Sequence, residues 1–222
     1  MKTLNRLLGC CLLGCAMFFA PHPLEAKVYD IYPQPQQEQS GQGVVSFTSS
    51  VTVVCDAAVD AATRERAKQV LQEAKLEAVL AEAPRQGHST LYLGVAGSDG
   101  VVDRYAQQLQ LKRDVLKRTG KYDRHIVHLH AQEGKAEVVI LGEHSDATFY
   151  GLASLEQILE RGTQQLPAVT LFDYADQQSR GLVEGYYGYP YSLAVKKSLM
   201  RFMMRLKMNT YMYGCLLYTS DA

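Results

Sequence analysis

The amino-acid sequence predicts an α+β domain at residues 27–176, followed by one β-strand–α-helix–β-strand unit at residues 177–214. Strand and helix patterns alternate through the first segment, and in the second a capped amphipathic helix separates two short β-type runs. Two strands joined through a helix run parallel, so the second segment requires a parallel sheet. Hydrophobic residues make up 47% of the 222 residues, which is typical of a globular chain.

The charge balance excludes one class of partner. The chain has 23 Lys and Arg against 23 Asp and Glu, whereas nucleic-acid-binding proteins normally carry a basic excess. No nucleic-acid partner is therefore expected. No apolar run reaches the roughly 18–20 residues of a membrane-spanning helix, so no membrane span is expected.

Residues 1–26 are interpreted as an export signal. Lys2 and Arg6 precede an apolar run over residues 7–20, and prolines then break it. This order of charged, apolar and small residues is typical of a secretory signal, so we expect an exported bacterial protein that is periplasmic, cell-surface or secreted. An N-terminal anchor helix is the alternative, although the run is short for one. A lipid anchor at Cys15 also stays open, because residues 12–15 are similar to a lipoprotein box.

Beyond the signal the chain keeps two cysteines, Cys55 and Cys215. Two widely separated cysteines do not make a disulfide framework. Cys55 is therefore interpreted as a buried free thiol.

Hydrophobic periodicity sets the elements of the first domain. The predicted strands cover residues 28–32, 44–47, 51–55 and 90–95, together with a hairpin formed by residues 125–131 and 136–141. The predicted helices cover residues 63–80, 103–116 and 146–159. Pro84 and Gly87 follow the first helix and mark its latest possible end.

The second segment contains a strand over residues 180–187, a Gly-Tyr-Pro turn, a helix over residues 193–206 and a strand over residues 209–213. Ser192 is a suitable N-cap. We expect both strands to be buried, and the helix stripe to belong to the core; its members are Val195, Leu199, Phe202, Met203 and Leu206. We expect the cations beside the stripe to form a solvated face; they are Lys196, Lys197, Arg201 and Arg205.

No metal or cofactor site is expected. The sequence has no Walker-type phosphate loop, no zinc-spaced cysteine cluster and no His-Glu-x-x-His motif. His128 and His130 share one face of a strand while His125 points to the other. Two ligands without a third make a poor metal site, so these histidines are interpreted as a polar strand.

The segment over residues 180–192 carries the chemistry. It joins a strand to a helix through a Gly- and Tyr-rich turn, and in a (β/α)8 barrel the substrate binds at that end of the strands. Gly185 lets a ligand approach the main chain closely. Tyrosines 186, 187, 189 and 191 offer ring faces and hydroxyl groups to a sugar; packing at the barrel mouth is the alternative role for each.

At these residues the sequence resembles glycoside hydrolase family 84. The Arg-Gly-Leu-Val-Glu-Gly-Tyr-Tyr-Gly-Tyr-Pro-Tyr-Ser segment and the Lys-Met-Asn-Thr-Tyr-Met-Tyr-Gly segment at residues 207–214 look like the start of that family's catalytic barrel. Residues 31–35 and 145–159 resemble the non-catalytic domain that precedes bacterial hexosaminidase barrels. The resemblance implies that residues 177–214 begin a truncated (β/α)8 TIM barrel.

The resemblance further implies a retaining β-N-acetylglucosaminidase of the O-GlcNAcase or hyaluronidase type, acting on a glycan or glycoprotein that carries terminal N-acetylglucosamine. In such substrate-assisted enzymes the 2-acetamido group is the nucleophile, and an adjacent Asp pair orients it and serves as general acid/base. Gly185 is carried over as a sugar contact, with Tyr187 a weaker candidate.

The catalytic Asp pair belongs to a later strand, so no catalytic residue is assigned in this chain. Where the family continues into Pro-Lys-Asp-Asp, the sequence has Cys215-Leu216-Leu217-Tyr218. Residues 215–222 are therefore expected to be a non-native tail on a fragment that is itself inactive. Two alternatives stay open: a family 20 β-N-acetylhexosaminidase fragment, which Val183-Glu184-Gly185 disfavours, and a non-catalytic carbohydrate-binding module.

Overall fold

One mixed β-sheet dominates the computed structural model, which describes residues 27–185 and 190–214. Its strands are β1 (Gln37–Val45), β2 (Ser50–Cys55), β3 (Glu77–Leu80), β4 (Ser89–Val95), β5 (Tyr122–Gln132), β6 (Lys135–Gly142) and β7 (Leu166–Ala175). Their order across the sheet is β1-β7-β5-β6-β4-β2-β3. Strands β3, β2, β4 and β6 are parallel, whereas β6, β5, β7 and β1 pair antiparallel.

Helices cover both faces of this sheet. The helices are α1 (Ala61–Glu73), α2 (Val101–Gln108) and α3 (Ser145–Leu159), with a short 3₁₀ helix at Asp114–Lys117. Helices α1 and α3 pack on one face against Val53, Leu93 and Val127, and α2 packs on the other against Val54 and Tyr92. Alternate residues of a strand point to opposite faces. Because helices cover both faces, the apolar residues on each face of these strands are buried. The expected α+β domain is therefore a mixed α/β arrangement with a half-parallel sheet.

The hairpin and the last helix of this part are confirmed. Strands β5 and β6 pair antiparallel through a two-residue turn at Glu133 and Gly134, which have φ of 50° and 77°. Positive φ at both turn residues matches the right-handed twist of the strands. Helix α3 runs from Ser145 to Leu159 and packs against β5 and β6.

Four predicted elements were wrong wholly or in part. The strand expected over residues 44–47 is the end of β1, which begins at Gln37 and ends at Val45. Residues 28–32 form no strand, although Tyr29 and Ile31 are buried in the core. Helix α1 ends at Glu73, because Lys75 takes a left-handed φ of 61° and the chain then enters β3. The helix expected over residues 103–116 is divided into α2 and the 3₁₀ helix.

Strand β7 was not predicted at all. It lies between β1 and β5, where Val169 and Leu171 are buried. Pro167 is the second residue of β7 and pairs with Val44 of β1, next to a register shift in β1. A proline that removes an amide donor is tolerated at such a strand start.

The second part of the chain forms the expected βαβ unit: β8 (Gly181–Gly185), α4 (Leu193–Arg205) and β9 (Thr210–Gly214). The two strands are parallel and form a separate two-stranded sheet. Ser192 caps α4, since its hydroxyl accepts from the Val195 amide at 3.4 Å. The turn residues 186–189 lie outside the described residues.

The expected burial of this unit was wrong. Val183 of β8 is 69% exposed and Met212 of β9 is 58% exposed. Within the stripe of α4 only Met203 is buried, and Phe202 is 48% exposed. Parallel strands normally have both faces covered, and here one face of the strand pair is open.

Polar contacts join the βαβ unit to the rest of the chain. Among the described residues three ion pairs cross this junction: Arg180 with Asp123, Arg205 with Glu160, and Lys207 with Asp173. Every cation belongs to the βαβ unit, and every carboxylate belongs to the sheet or to the residue that follows helix α3. The amide of Gln157 adds a bridge, since its Nε2 donates to the carbonyls of Tyr32 and Arg205.

No helix in the described ranges combines the length and the apolar character needed to cross a bilayer. The expected signal over residues 1–26, with Cys15, and the expected tail over residues 215–222 lie outside those ranges.

Candidate functional site

The two faces of the β8–β9 pair have different roles. Residues opposite each other in a parallel pair share a face, and the register pairs Leu182 with Tyr211 and Glu184 with Tyr213. Lys196 of α4 contacts both Glu184 and Tyr213, so α4 covers this face. By the strand alternation, Val183 and Met212 lie on the opposite, open face.

Gly185 ends β8 on the open face. It is exposed and is paired with Gly214, the last residue of β9. Neither residue has a side chain, so the strand ends leave the main chain accessible to a bound group. A Cβ at Gly214 would lie 3.1 Å from the Glu184 carbonyl oxygen, so the two strand ends approach closely.

Glu184 is the buried carboxylate of this site, at 5% exposure. Its Oε1 accepts from the Tyr191 amide at 3.2 Å, and its Oε2 accepts from the Tyr211 hydroxyl. Lys196 Nζ lies 3.4 Å from Oε2. One carboxylate therefore connects β8, β9, α4 and the chain that leads into α4.

These contacts determine the ionisation of Glu184. Partial removal from water raises its pKa, but the hydrogen bonds from Tyr211 and Tyr191 and the Lys196 ammonium together lower it below its usual value. The same hydrogen bond raises the pKa of Tyr211 to about 12. A general acid requires a raised pKa. The arrangement suits an ionised structural carboxylate that faces α4, and it does not suit an acid directed at a ligand beside Gly185.

Of the four tyrosines suggested by the sequence, the structure describes one, Tyr191. Tyr187 lies outside the described residues, as do Tyr186 and Tyr189. Tyr191 is 53% exposed, and its main-chain amide, rather than its ring, makes the contact with Glu184. The structure thus places Gly185 at the strand end and leaves the placement of Tyr187 a prediction.

Sequence reasoning missed Glu184 and Tyr211 and assigned Lys196 to a solvated face. In the structure Lys196 is half-buried, pairs with Glu184 and lies 4.3 Å from the centroid of the Tyr213 ring. Lys197 and Arg201 are exposed as expected, and Arg205 forms a partly exposed ion pair with Glu160. Successive residues of a strand point to opposite faces. The sequence alone could therefore have predicted that Glu184 and Gly185 lie on different faces of the strand.

The histidines of β5 lie on opposite faces, as predicted. His128 and His130 stack with ring centroids 4.6 Å apart. Nδ1 of His128 contacts Thr170 Oγ1 at 2.7 Å, and Nε2 of His130 lies 3.4 Å from Glu137. Within residues 27–185 and 190–214, no group of three or more His, Cys, Asp or Glu residues could hold a metal ion.

Cys55 is a free, half-buried thiol rather than a fully buried one. Burial is the largest influence and raises its pKa to about 11. The thiol is therefore protonated at neutral pH and is a poor nucleophile.

Two family models match successive parts of the chain. Residues 28–174 match the model described as glycosyl hydrolase family 20, domain 2. Residues 180–215 match the model described as beta-N-acetylglucosaminidase. The boundary between the matches falls between β7 and β8, where the large sheet ends.

Solved structures of two glycoside hydrolase families contain a part with the same fold. CpGH84D is 30% identical over 84% of this chain with a TM-score of 0.74, and CpGH84B is 22% identical over 87% with a TM-score of 0.66. An inactive mutant of the GH20 exo-beta-N-acetylglucosaminidase from Vibrio harveyi is 12% identical over 85%, with a TM-score of 0.58. The chain spans 30%, 30% and 26% of those three chains.

Proposed function

Because residues 28–174 make this chain a member of the family described as glycosyl hydrolase family 20, domain 2, we propose that it is the N-terminal part of a retaining β-N-acetylglucosaminidase. The enzyme removes terminal N-acetylglucosamine from glycans or glycoproteins by substrate-assisted catalysis. The resemblance to glycoside hydrolase family 84 is confirmed by the CpGH84D and CpGH84B structures, and it favours the family 84 type over the family 20 type.

The observation that carries this proposal is the βαβ unit, whose residues match the beta-N-acetylglucosaminidase model. We assign β8 and β9 to the first two strands of a (β/α)8 barrel. In such a barrel the helices lie outside and the opposite strand face points inward. Helix α4 then marks the outside, and the open face with Val183 and Met212 is the one that later strands bury.

In this arrangement Gly185 lies at the carboxyl end of an inward strand face, where (β/α)8 enzymes bind their substrates. Its main-chain groups are proposed to hydrogen-bond a sugar hydroxyl, and Tyr187 is proposed to lie beside the pocket. Glu184 faces the helix layer and holds the strand end in place. The acetamido-orienting residue and the general acid/base are supplied by an adjacent Asp pair on a later strand.

We also propose that the protein is exported through the signal at residues 1–26, with a lipid anchor at Cys15 as the alternative to simple cleavage. The signal pattern in the sequence supports this proposal. Radiolabelled palmitate incorporation that is lost in Cys15→Ser would support the lipid anchor, and a cleaved, unlipidated product would reject it.

The complete reading frame tests the assignment first. An adjacent Asp pair some strands beyond Gly214 is expected, and its absence rejects the family 84 mechanism. The second test uses the complete protein with an aryl N-acetylglucosaminide. Release of the aryl group and competitive inhibition by a thiazoline analogue of the oxazoline intermediate are expected, because a transition-state-like analogue binds more tightly than substrate.

The 222-residue chain is the matched control. It is expected to release no aryl group above the buffer rate, because it lacks the proposed Asp pair. Measurable turnover by the purified chain would show that other residues are the catalytic ones.

A further inference from the structure

We propose that the cavity between the large sheet and the βαβ unit is a second ligand site, which binds a small polyhydroxylated molecule of monosaccharide size between His125 and Lys207. The cavity has a volume of about 260 Å³. Strands β5 and β7 and helix α3 line one side of it, and the end of α4 lines the other. It is separate from the strand ends at Gly185.

His125 contributes an unused acceptor. Its side chain is 2% exposed, and its Nδ1 lies 2.7 Å from the carbonyl oxygen of Asp123. A carbonyl can only accept, so Nδ1 carries the proton and Nε2 carries a lone pair. Nε2 is buried with no hydrogen-bond partner in the described part of the chain. The nearest carboxylate oxygen, Asp173 Oδ2 at 3.7 Å, is itself an acceptor.

Lys207 contributes unused donors from the other side of the cavity. Its Nζ donates to Asp173 Oδ2 at 2.5 Å and is buried. An ammonium group has three N–H donors, and no second acceptor contacts Nζ among the described residues. A buried polar group without a partner is costly. The cavity thus offers one bare acceptor and spare donors near the same oxygen, Asp173 Oδ2.

A hydroxyl group fits this pair because it can accept from the ammonium and donate to the imidazole at once. An ionised carboxylate cannot donate to Nε2, and an ammonium cannot accept from Lys207. The neutral state of the ring supports this assignment, since burial, followed by the nearby Lys207 charge, lowers the pKa of His125 to about 4.

The remaining walls suit a molecule larger than one water. Pro33, Tyr150 and Leu206 supply apolar surface, while Gln34, Gln36 and Gln177 supply amide groups. A water molecule occupies about 30 Å³ of liquid volume, so the cavity has room for a ring with several hydroxyl groups. Apolar walls with a few placed polar groups are typical of small-molecule sites.

The site lies at the opposite end of the βαβ unit from Gly185. Arg180 and Lys207 precede β8 and β9, whereas Gly185 and Gly214 end them. Four residue steps at about 3.3 Å each separate the two ends by roughly 13 Å. A ligand here touches both parts of the chain and is expected to stabilise their junction.

The full chain, labelled with 15N-histidine, tests the proposal by NMR with N-acetylglucosamine, glucose and glycerol as probes. We expect a saturable shift of the His125 Nε2 resonance at about millimolar concentrations of a sugar, and a weaker effect of glycerol. The His128 resonances are the internal control, because His128 lies on the other face of β5 with Nδ1 bonded to Thr170.

Leu206→Trp is the blocking variant, since it fills the cavity and leaves His125 observable. We expect the shift of His125 to disappear in Leu206→Trp and to persist in Leu199→Trp, a helix α4 variant outside the cavity. No shift with any probe, or an equal shift in Leu206→Trp, would overturn the proposal and leave water as the occupant. The result is independent of glycosidase activity, so the proposed function and this site can fail separately.

Discussion

Lys207 and Asp173 form a buried ion pair between the βαβ unit and the large sheet. Lys207 Nζ lies 2.5 Å from Asp173 Oδ2, and the side chains are 8% and 7% exposed. Asp173 belongs to β7, a strand between β1 and β5. The pair therefore anchors the second sheet to the interior of the first.

Lys207→Met is expected to lower the free energy of unfolding by about 3–5 kcal/mol, because it leaves the Asp173 carboxylate buried without its partner. Urea unfolding followed by circular dichroism measures this change. The double variant Lys207→Met/Asp173→Leu is expected to recover much of the loss. Arg201→Met removes an exposed cation of α4 and is expected to change stability by less than about 0.5 kcal/mol; equal losses in the two single variants would contradict the buried pair.

Acid is expected to destabilise the fold through two histidines, of which His125 is buried and His128 is half-buried. Burial is the largest influence on both and lowers the pKa of His125 and of His128 to about 4. An unfolded chain binds these protons near pH 6.5. Stability therefore falls as the pH drops from about 6.5 to 4, by about 3 kcal/mol for each histidine.

Urea unfolding at several pH values between 7 and 4 checks this expectation. His128→Gln removes one of the two groups and is expected to reduce the pH dependence in that range by about half. An unchanged slope in the variant would assign the acid sensitivity to carboxylates instead.

Glu184→Gln is expected to loosen the attachment of α4 to the strand pair. The amide keeps an acceptor for Tyr191 but loses the charge that holds Lys196 and the strong hydrogen bond from Tyr211. Hydrogen exchange followed by mass spectrometry should show faster exchange of α4 amides, with the large sheet unchanged. Tyr211→Phe should give a similar but smaller effect, and Glu82→Gln, at an exposed position, should give none.

Gly181→Ala is expected to disrupt the pairing of β8 with β9. A Cβ at Gly181 would lie 1.5 Å from the Thr210 carbonyl oxygen, a clash with the main chain of the partner strand. We expect a loss of stability at the upper end of about 1–3 kcal/mol and faster exchange of β9 amides. Gly214→Ala in the same pair meets its nearest atom at 3.1 Å and is expected to be much milder.

Periodicity predicted the hairpin and helix α3 because local signals there agree with the tertiary structure. Glu133-Gly134 sets the turn, and the apolar face of α3 meets the sheet. The same reasoning extended α1 too far, since Ala78 and Leu80 continue a helical spacing across Lys75 although β3 begins at Glu77. Only the parallel pairing with β2 makes that segment a strand.

Strand β7 was missed because Pro167 and the preceding glutamines weaken its local pattern, while its stability comes from neighbours far away in the sequence. At the site, the presence of Gly185 in a strand followed from the pattern over residues 180–187. The role of Glu184 did not, because a strand pattern gives two faces but does not say which one the helix covers. The contact between Lys196 of α4 and Glu184 shows which face the helix covers, and this contact is known only from the structure.

At the junction all carboxylates come from the first part of the chain and all cations from the βαβ unit. This division has a consequence for the order in which the two parts fold during synthesis. The carboxylates of Asp123, Glu160 and Asp173 all leave the ribosome before β8, and two of them sit on strands that take their places only when the large sheet has assembled. Domains generally fold as units, N-terminal first, during translation. The three carboxylates are therefore in position on the folded first part of the chain before the βαβ unit, which carries the cations, leaves the ribosome and binds to them.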